Sequence, residues 1–238
     1  MSDFARDAAA VQGATDRLLT TAAGLDEKTV TEPSLLPGWT RGHLLAHLAR
    51  NADALTNLLT WARTGEEIPM YASEEARDGD IARDAHRPLP VHLDDLRTSA
   101  TRFAAAAAAL PRDRWEFRVA MRNGVTERAA RLTFRRLVEV ELHHVDLDLG
   151  YTLADLPAEF VAQELDFLTQ GKFSGHPDVP ALLLRAADGT EWSTGRADGP
   201  AITVGGTATE LLGWLTGRSG GAGLTCDGGP LPTLPPLG

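Results

Sequence analysis

Two histidines and a glutamate stand at spacings that suit metal chemistry. In "HLLAH", His43 and His47 are four residues apart; in "VEVELHHVDL", Glu139 and His143 are four apart. On a helix, residues four apart project side by side. A glutamate and a histidine from one helix, with a histidine from another, make a His2Glu set. Such a set has three donors and one open coordination position, the pattern of a catalytic zinc site; it also accepts iron, cobalt or nickel. His47 shares its face with Leu44, Leu48, Asn51 and Leu55, whereas His43 has Arg50 on its own face, so His47 is expected to look inward. Asp146 follows His143 by three and can orient its ring. Spacing leaves the second histidine open: His144 follows Val140 and precedes Asp148 by four, with Glu141 nearby. Neighbours on a helix point about 100° apart, so at most one of the pair is expected to face a shared site. A solvated, metal-free helix face is also compatible with these spacings.

Composition narrows the chemistry further. The chain has 238 residues and a net charge of −10, which argues against nucleic acid as a partner. An anionic substrate would therefore need a local pocket of arginine. Cys226 is the single cysteine, so neither an internal disulfide nor a cysteine-rich zinc site can form. No apolar run reaches the roughly 18 residues of a membrane span, and "MSDFARDAAA" lacks the layout of a signal peptide. A cytoplasmic protein without a membrane partner is expected, acting as a monomer.

The elements that must position these residues are mainly helical. Phe4, Ala8, Val11, Thr15, Leu18 and Ala22 recur at helical steps. Thr40 can cap a second helix over about 41 to 63, which Gly65 ends. Residues 66 to 90 read as a connection with a short helix near Glu74 to Asp84. A third helix covers about 91 to 110, where "AAAAAA" suits close packing, and a fourth covers about 127 to 148. Together they predict a four-helix bundle. Beyond Gly150 the pattern changes to a helix in "AEFVAQELDFLTQG", short strand-like runs in "ALLLRAADG", "TEWSTG" and "AITVGG", and a helix in "TATELLGWLTGR". The expected fold class is α plus α+β, with a bundle over 1–152 and a small α+β domain over 153–238.

"GWTRGHLLAHLARNADAL", "WARTGEEIPMY" followed by "SEEAR", and "VEVELHHVDL" resemble the mycothiol-dependent maleylpyruvate isomerases, part of a wider DinB-like group of mycothiol-dependent metalloenzymes. The resemblance runs over nearly the whole chain, including "GWLTGR". It implies a DinB-like four-helix bundle followed by a small sterol-carrier-like α+β domain. It implies His47, Glu139 and His143 as zinc ligands, and places Arg218 near the metal in a catalytic and substrate-gripping role. The histidine at 144 departs from relatives that carry a small residue there.

The implied reaction converts maleylpyruvate to fumarylpyruvate in gentisate-type aromatic degradation, with zinc and mycothiol as cofactors and a small dicarboxylate as substrate. A thiolate adds to the conjugated alkene, the resulting single bond rotates, and elimination releases the trans isomer. Zinc makes the thiolate available. Cys226, in a late strand-like run, is a poor substitute for an external thiol. Arg218 is the first candidate to bind the substrate's carboxylates and Arg77 the second, since a planar fork suits them. Met70 and Tyr71 can wall the pocket, while Trp39 reads as a core anchor. Two other readings share the scaffold: a mycothiol S-transferase acting on electrophiles, whose product would keep the sulfur, and a non-catalytic binding or regulatory protein, which could lack metal.

Overall fold

The computed structural model describes residues 4–237, except the side chain of Asn123. The chain divides after Tyr151 into two compact units. The first is built on four long helices: α1 (Phe4–Ala22), α3 (Arg41–Thr64), α5 (Leu89–Ala108) and α6 (Leu132–Asp146). Short helices α2 (Glu27–Thr31) and α4 (Glu74–Asp84) lie in the connections. Helix α3 packs against α5 and α6, and α1 closes the ring against the same two. Leu44, Leu45, Leu48, Leu55, Leu58 and Leu59 of α3 are buried in its centre. Among the described residues no helix is long and apolar enough to cross a membrane.

Local chemistry sets the limits of α3. The Thr40 side chain accepts from the His43 backbone N–H, and His43 reaches back to the Thr40 N–H, so both strands of the capping interaction are in place. Gly65 ends the helix at φ 83°, a left-handed conformation that costs glycine little. The expected start of the fourth helix near 127 is corrected. Residues Arg118–Ala120 and Thr126–Arg128 pair as antiparallel strands β1 and β2, and a single 3-10 turn over Ala129–Arg131 leads into α6. Three-residue strands are too short to show alternation in sequence, so the segment reads as a helix extension.

In the second unit, α7 (Ala158–Phe167) widens into a π-turn over Leu168–Lys172. Strands β3 (Leu182–Ala186), β4 (Glu191–Thr194), β5 (Ile202–Gly206) and β6 (Thr225–Cys226) form one sheet in the order β4-β3-β5-β6. β3 is antiparallel to β4 and parallel to β5, with Leu184 opposite Trp192 and Val204. Helix α8 (Ala208–Leu215) starts at a capping box between Thr207 and Glu210 and packs on α7 and the sheet.

Candidate metal centre

Two arginine clamps fix how α3 meets α6. At one end Arg41, nine-tenths buried, donates from Nε to the Leu147 carbonyl at 2.7 Å and from Nη2 to the Asp148 carbonyl at 3.3 Å. These carbonyls follow the last turn of α6, where a cation is favourable. Asp148 stands at φ 55° and ends the helix; aspartate is among the few residues that tolerate this conformation. At the other end Arg136 of α6 donates from Nη1 to the Leu48 carbonyl at 2.8 Å and to Asn51 Oδ1 at 2.9 Å, both on α3. His47, Glu139 and His143 lie between the clamps.

The three side chains converge. His47 Nε2 is 2.9 Å from Glu139 Oε2, and His143 Nε2 is 3.3 Å from the same oxygen. One donor atom from each residue lies within 4.8 Å of the others. Metal–ligand bonds of about 2.0–2.1 Å in a tetrahedron put neighbouring donors about 3.3–3.4 Å apart, near the 2.9 and 3.3 Å that separate Glu139 Oε2 from the two imidazoles. The donor set fits zinc in type, and its two glutamate–histidine spacings approach those of a tetrahedral site. Behind it, His143 Nδ1 and Asp146 Oδ2 are 2.8 Å apart. Asp146 is buried, and its carboxylate holds the proton on Nδ1, leaving Nε2 directed at the centre.

Electrostatics divides the roles. Burial pushes the His47 pKa down to about 4, against the pull of Glu139, so this imidazole is neutral at ordinary pH. Burial alone would raise Glu139, but the bonds from His143 and His47 outweigh it and hold the carboxyl well below the usual range. Burial works to lower His143, yet its bonds to Asp146 and Glu139 dominate and raise it. Two carboxylates beside two imidazoles make an electronegative pocket that a divalent cation would neutralise.

Arg77 reaches the same place from α4. Its Nη2 lies 3.4 Å from His47 Nδ1. Arg77 also pairs with Asp78 at 2.6 Å and lies 5.8 Å over the Tyr71 ring. Burial, then the nearby Glu139 charge, raises the Tyr71 pKa. Helix α4 is seated closely on α3: a Cβ on Gly42 would collide with the Ala85 carbonyl oxygen. Arg50 ties the pair to α5 by contacts to Asp84 and Asp95.

The other candidates take different places. His43 caps α3 and meets His86 edge-on at 5.9 Å. His144 is buried, bonds Thr21 Oγ1 at 2.8 Å and stacks on Tyr151 at 3.8 Å. Trp39 is half-buried and meets the His47 ring edge-on at 5.5 Å, so it flanks the centre where a core anchor was expected. Arg218 lies in the second unit just beyond α8, with Nη1 3.4 Å from the Thr216 carbonyl. Cys226 is in β6 of that unit, with Sγ 3.8 Å from the Pro230 carbonyl. Sequence reasoning missed the clamps Arg41 and Arg136. Each had a signal: Arg41 puts a cation in the first turn of a helix, against the dipole, and Arg136 interrupts the apolar run Leu132, Phe134, Leu137, Val140.

Comparison with known proteins agrees with the geometry. No curated protein matches the chain. Among solved structures, one described as the mycothiol-dependent maleylpyruvate isomerase is similar at 30% identity and TM-score 0.86, over 98% of this chain and 97% of its own. A histidine-to-alanine mutant of the mycothiol-dependent maleylpyruvate isomerase is similar over the same shares, at 29% identity and TM-score 0.86. Residues 11–148 match the family model described as the mycothiol maleylpyruvate isomerase N-terminal domain, and residues 155–236 match that described as the MDMPI C-terminal domain. The chain, an assembly of a DinB-like helical domain and a small mixed α/β unit, belongs to the mycothiol maleylpyruvate isomerase family.

Proposed function

We propose that the protein is a zinc- and mycothiol-dependent cis–trans isomerase that converts maleylpyruvate to fumarylpyruvate. The observation that carries this reading, beside family membership, is the convergence of His47, Glu139 and His143 between two clamped helices. When bound, zinc supplies a coordination position that acidifies a thiol, and mycothiol supplies the thiol whose reversible addition makes the double bond a rotatable single bond.

The chain's own residues do the rest. His47 presents a neutral imidazole because burial disfavours its charge. Glu139 stays ionised, and with Asp146 it offsets the charge of a divalent ion. Asp146 fixes the His143 tautomer. Arg77, beside His47, and Arg218 are assigned to the two carboxylates of the substrate, which they can hold through paired N–H groups. Trp39 and Tyr71 wall the centre and limit water around it. Cys226 has no part in the reaction. The same reading makes the protein a cytoplasmic monomer with small-molecule partners only; the net charge of −10 disfavours nucleic acid.

The test is a spectrophotometric assay of maleylpyruvate with and without mycothiol, on zinc-loaded wild type and on Cys226→Ser. Turnover that needs added mycothiol and survives Cys226→Ser is expected. Full turnover without thiol would overturn the proposal. Mass spectra in which the product keeps the sulfur would replace isomerisation with S-transfer.

A further inference from the structure

A cleft lies between α1 and α5, and Arg136 of α6 is among its lining residues. Phe4, Ala8, Val11 and Thr15 form one face of α1, opposite Ala104 and Ala107 of α5, and between them runs a cleft of about 350 Å³. The alanine run read as a surface for close packing instead leaves a gap. Phe4 and Trp115, ring to ring at 5.1 Å, stand at its margin. Exposed Ala5, Gln12, Ala104 and Ala108 form the rim, and buried Thr15, Phe103 and Arg136 line the interior. None of His47, Glu139 and His143 lines it.

The walls are apolar, yet three buried polar atoms of its lining residues lack partners: Arg136 Nε, Thr15 Oγ1 and Trp115 Nε1. All three can donate a hydrogen bond. Arg136 is 1% exposed and Thr15 is 4% exposed. Arg136 spends Nη1 on two neutral acceptors of α3, and among the described residues no carboxylate lies within ion-pair distance of it. Burial pushes its pKa down to about 10. A buried guanidinium with no carboxylate in contact is unfavourable, and so is each unpaired donor. A ligand with an acceptor-only head and an apolar body would satisfy both. A dry cavity of about 150 Å³ takes benzene, so this cleft has room for a carboxylate on a chain of roughly eight carbons.

We propose that the cleft between α1 and α5 binds a small amphipathic monocarboxylate, its head on Arg136 and Thr15 in the interior and its apolar body along the alanine face toward Trp115 at the margin. This does not rest on the reading of the metal centre.

The test titrates octanoate and 1-octanol into the full-length protein by calorimetry. Saturable octanoate binding is expected, at least about tenfold tighter than 1-octanol, because only the acid pairs with the guanidinium. Ala104→Trp, which fills the cleft from its rim, is expected to abolish binding with zinc content unchanged. Arg136→Met is expected to remove the preference for the acid; since it also loses the clamp on α3, Ala104→Trp carries the test independently. Absence of saturable binding, equal affinity for acid and alcohol, or unchanged binding in folded Ala104→Trp would overturn the proposal.

Discussion

Helix α6 carries a histidine and a carboxylate on each of two neighbouring faces, and the two faces end differently. Toward α3, Glu139 and His143 meet each other, His47 and Asp146. Toward α1, Glu141 accepts from Arg17 at 2.6 Å and from the Tyr151 hydroxyl at 2.7 Å, while His144 bonds Thr21. The second face is more buried: Glu141 and His144 are each 1% exposed, whereas the Glu139 side chain is 30% exposed. Burial of histidine and carboxylate therefore does not by itself make a site. On one face the anion is matched by a protein cation and a hydroxyl, which leaves little for a ligand to add. On the other the donors converge with no arginine or lysine in ion-pair contact with Glu139 among the described residues, and its side chain is partly exposed. Arg77, beside the first face, contacts an imidazole.

Paired substitutions across the two faces sharpen this contrast. The largest effect is expected from Glu139→Gln against Glu141→Gln. The first should lose nearly all turnover and most zinc, because a ligand charge is gone. The second should keep both and lose stability, since its partner Arg17 is left unpaired. Steady-state rates with metal analysis separate them, and equal loss in both would break the comparison.

Next come the cations. Arg77→Ala and Arg218→Ala should each lower kcat/KM by roughly 30- to 1000-fold with zinc retained, as expected for a lost guanidinium–carboxylate contact worth about 2–4 kcal/mol. Lysine should rescue only in part. Arg17→Ala should leave kcat/KM near wild type. A folded, zinc-loaded Arg218→Ala with wild-type kinetics would confine that residue to a structural role.

Smaller still is the effect of the groups behind each face. Asp146→Asn should weaken zinc binding by roughly 10- to 100-fold, measured by competition with a chelating dye. Tyr151→Phe should leave zinc affinity unchanged. Its signature is pH. Burial and the bond to Glu141 raise the Tyr151 pKa. A group raised on folding stabilises the fold below its unfolded pKa of about 10 and loses that contribution as pH rises beyond it. Wild type should therefore lose stability more steeply than Tyr151→Phe in alkaline denaturant titrations; parallel curves would remove Tyr151 from the account.

The sequence made one face of α6 far more legible than the other. Glu139, His143 and Asp146 lie within two turns of one helix, so spacing put them on a shared face while the resemblance chose His143 over His144, and Thr40 and Gly65 marked the limits of the helix that brings His47. The partners of Glu141 and His144 come from Arg17, Thr21 and Tyr151, contacts that depend on how helices pack and that periodicity does not encode. The same holds for Arg41 and Arg136, whose odd positions were visible but whose acceptors, Leu147, Asp148, Leu48 and Asn51, were not. Alanine content predicted close packing but not the gap beside α1, because closure also depends on the bulk of Phe4, Phe103 and Trp115.

The central claim is that metal binding belongs to one face of α6 and to one of two adjacent histidines. Zinc content of purified His143→Ala and His144→Ala, measured by atomic emission beside wild type, tests it most directly. About one zinc per chain in wild type and in His144→Ala, with most of it lost in His143→Ala, is the predicted result. Zinc retained by His143→Ala and lost from His144→Ala would contradict the account.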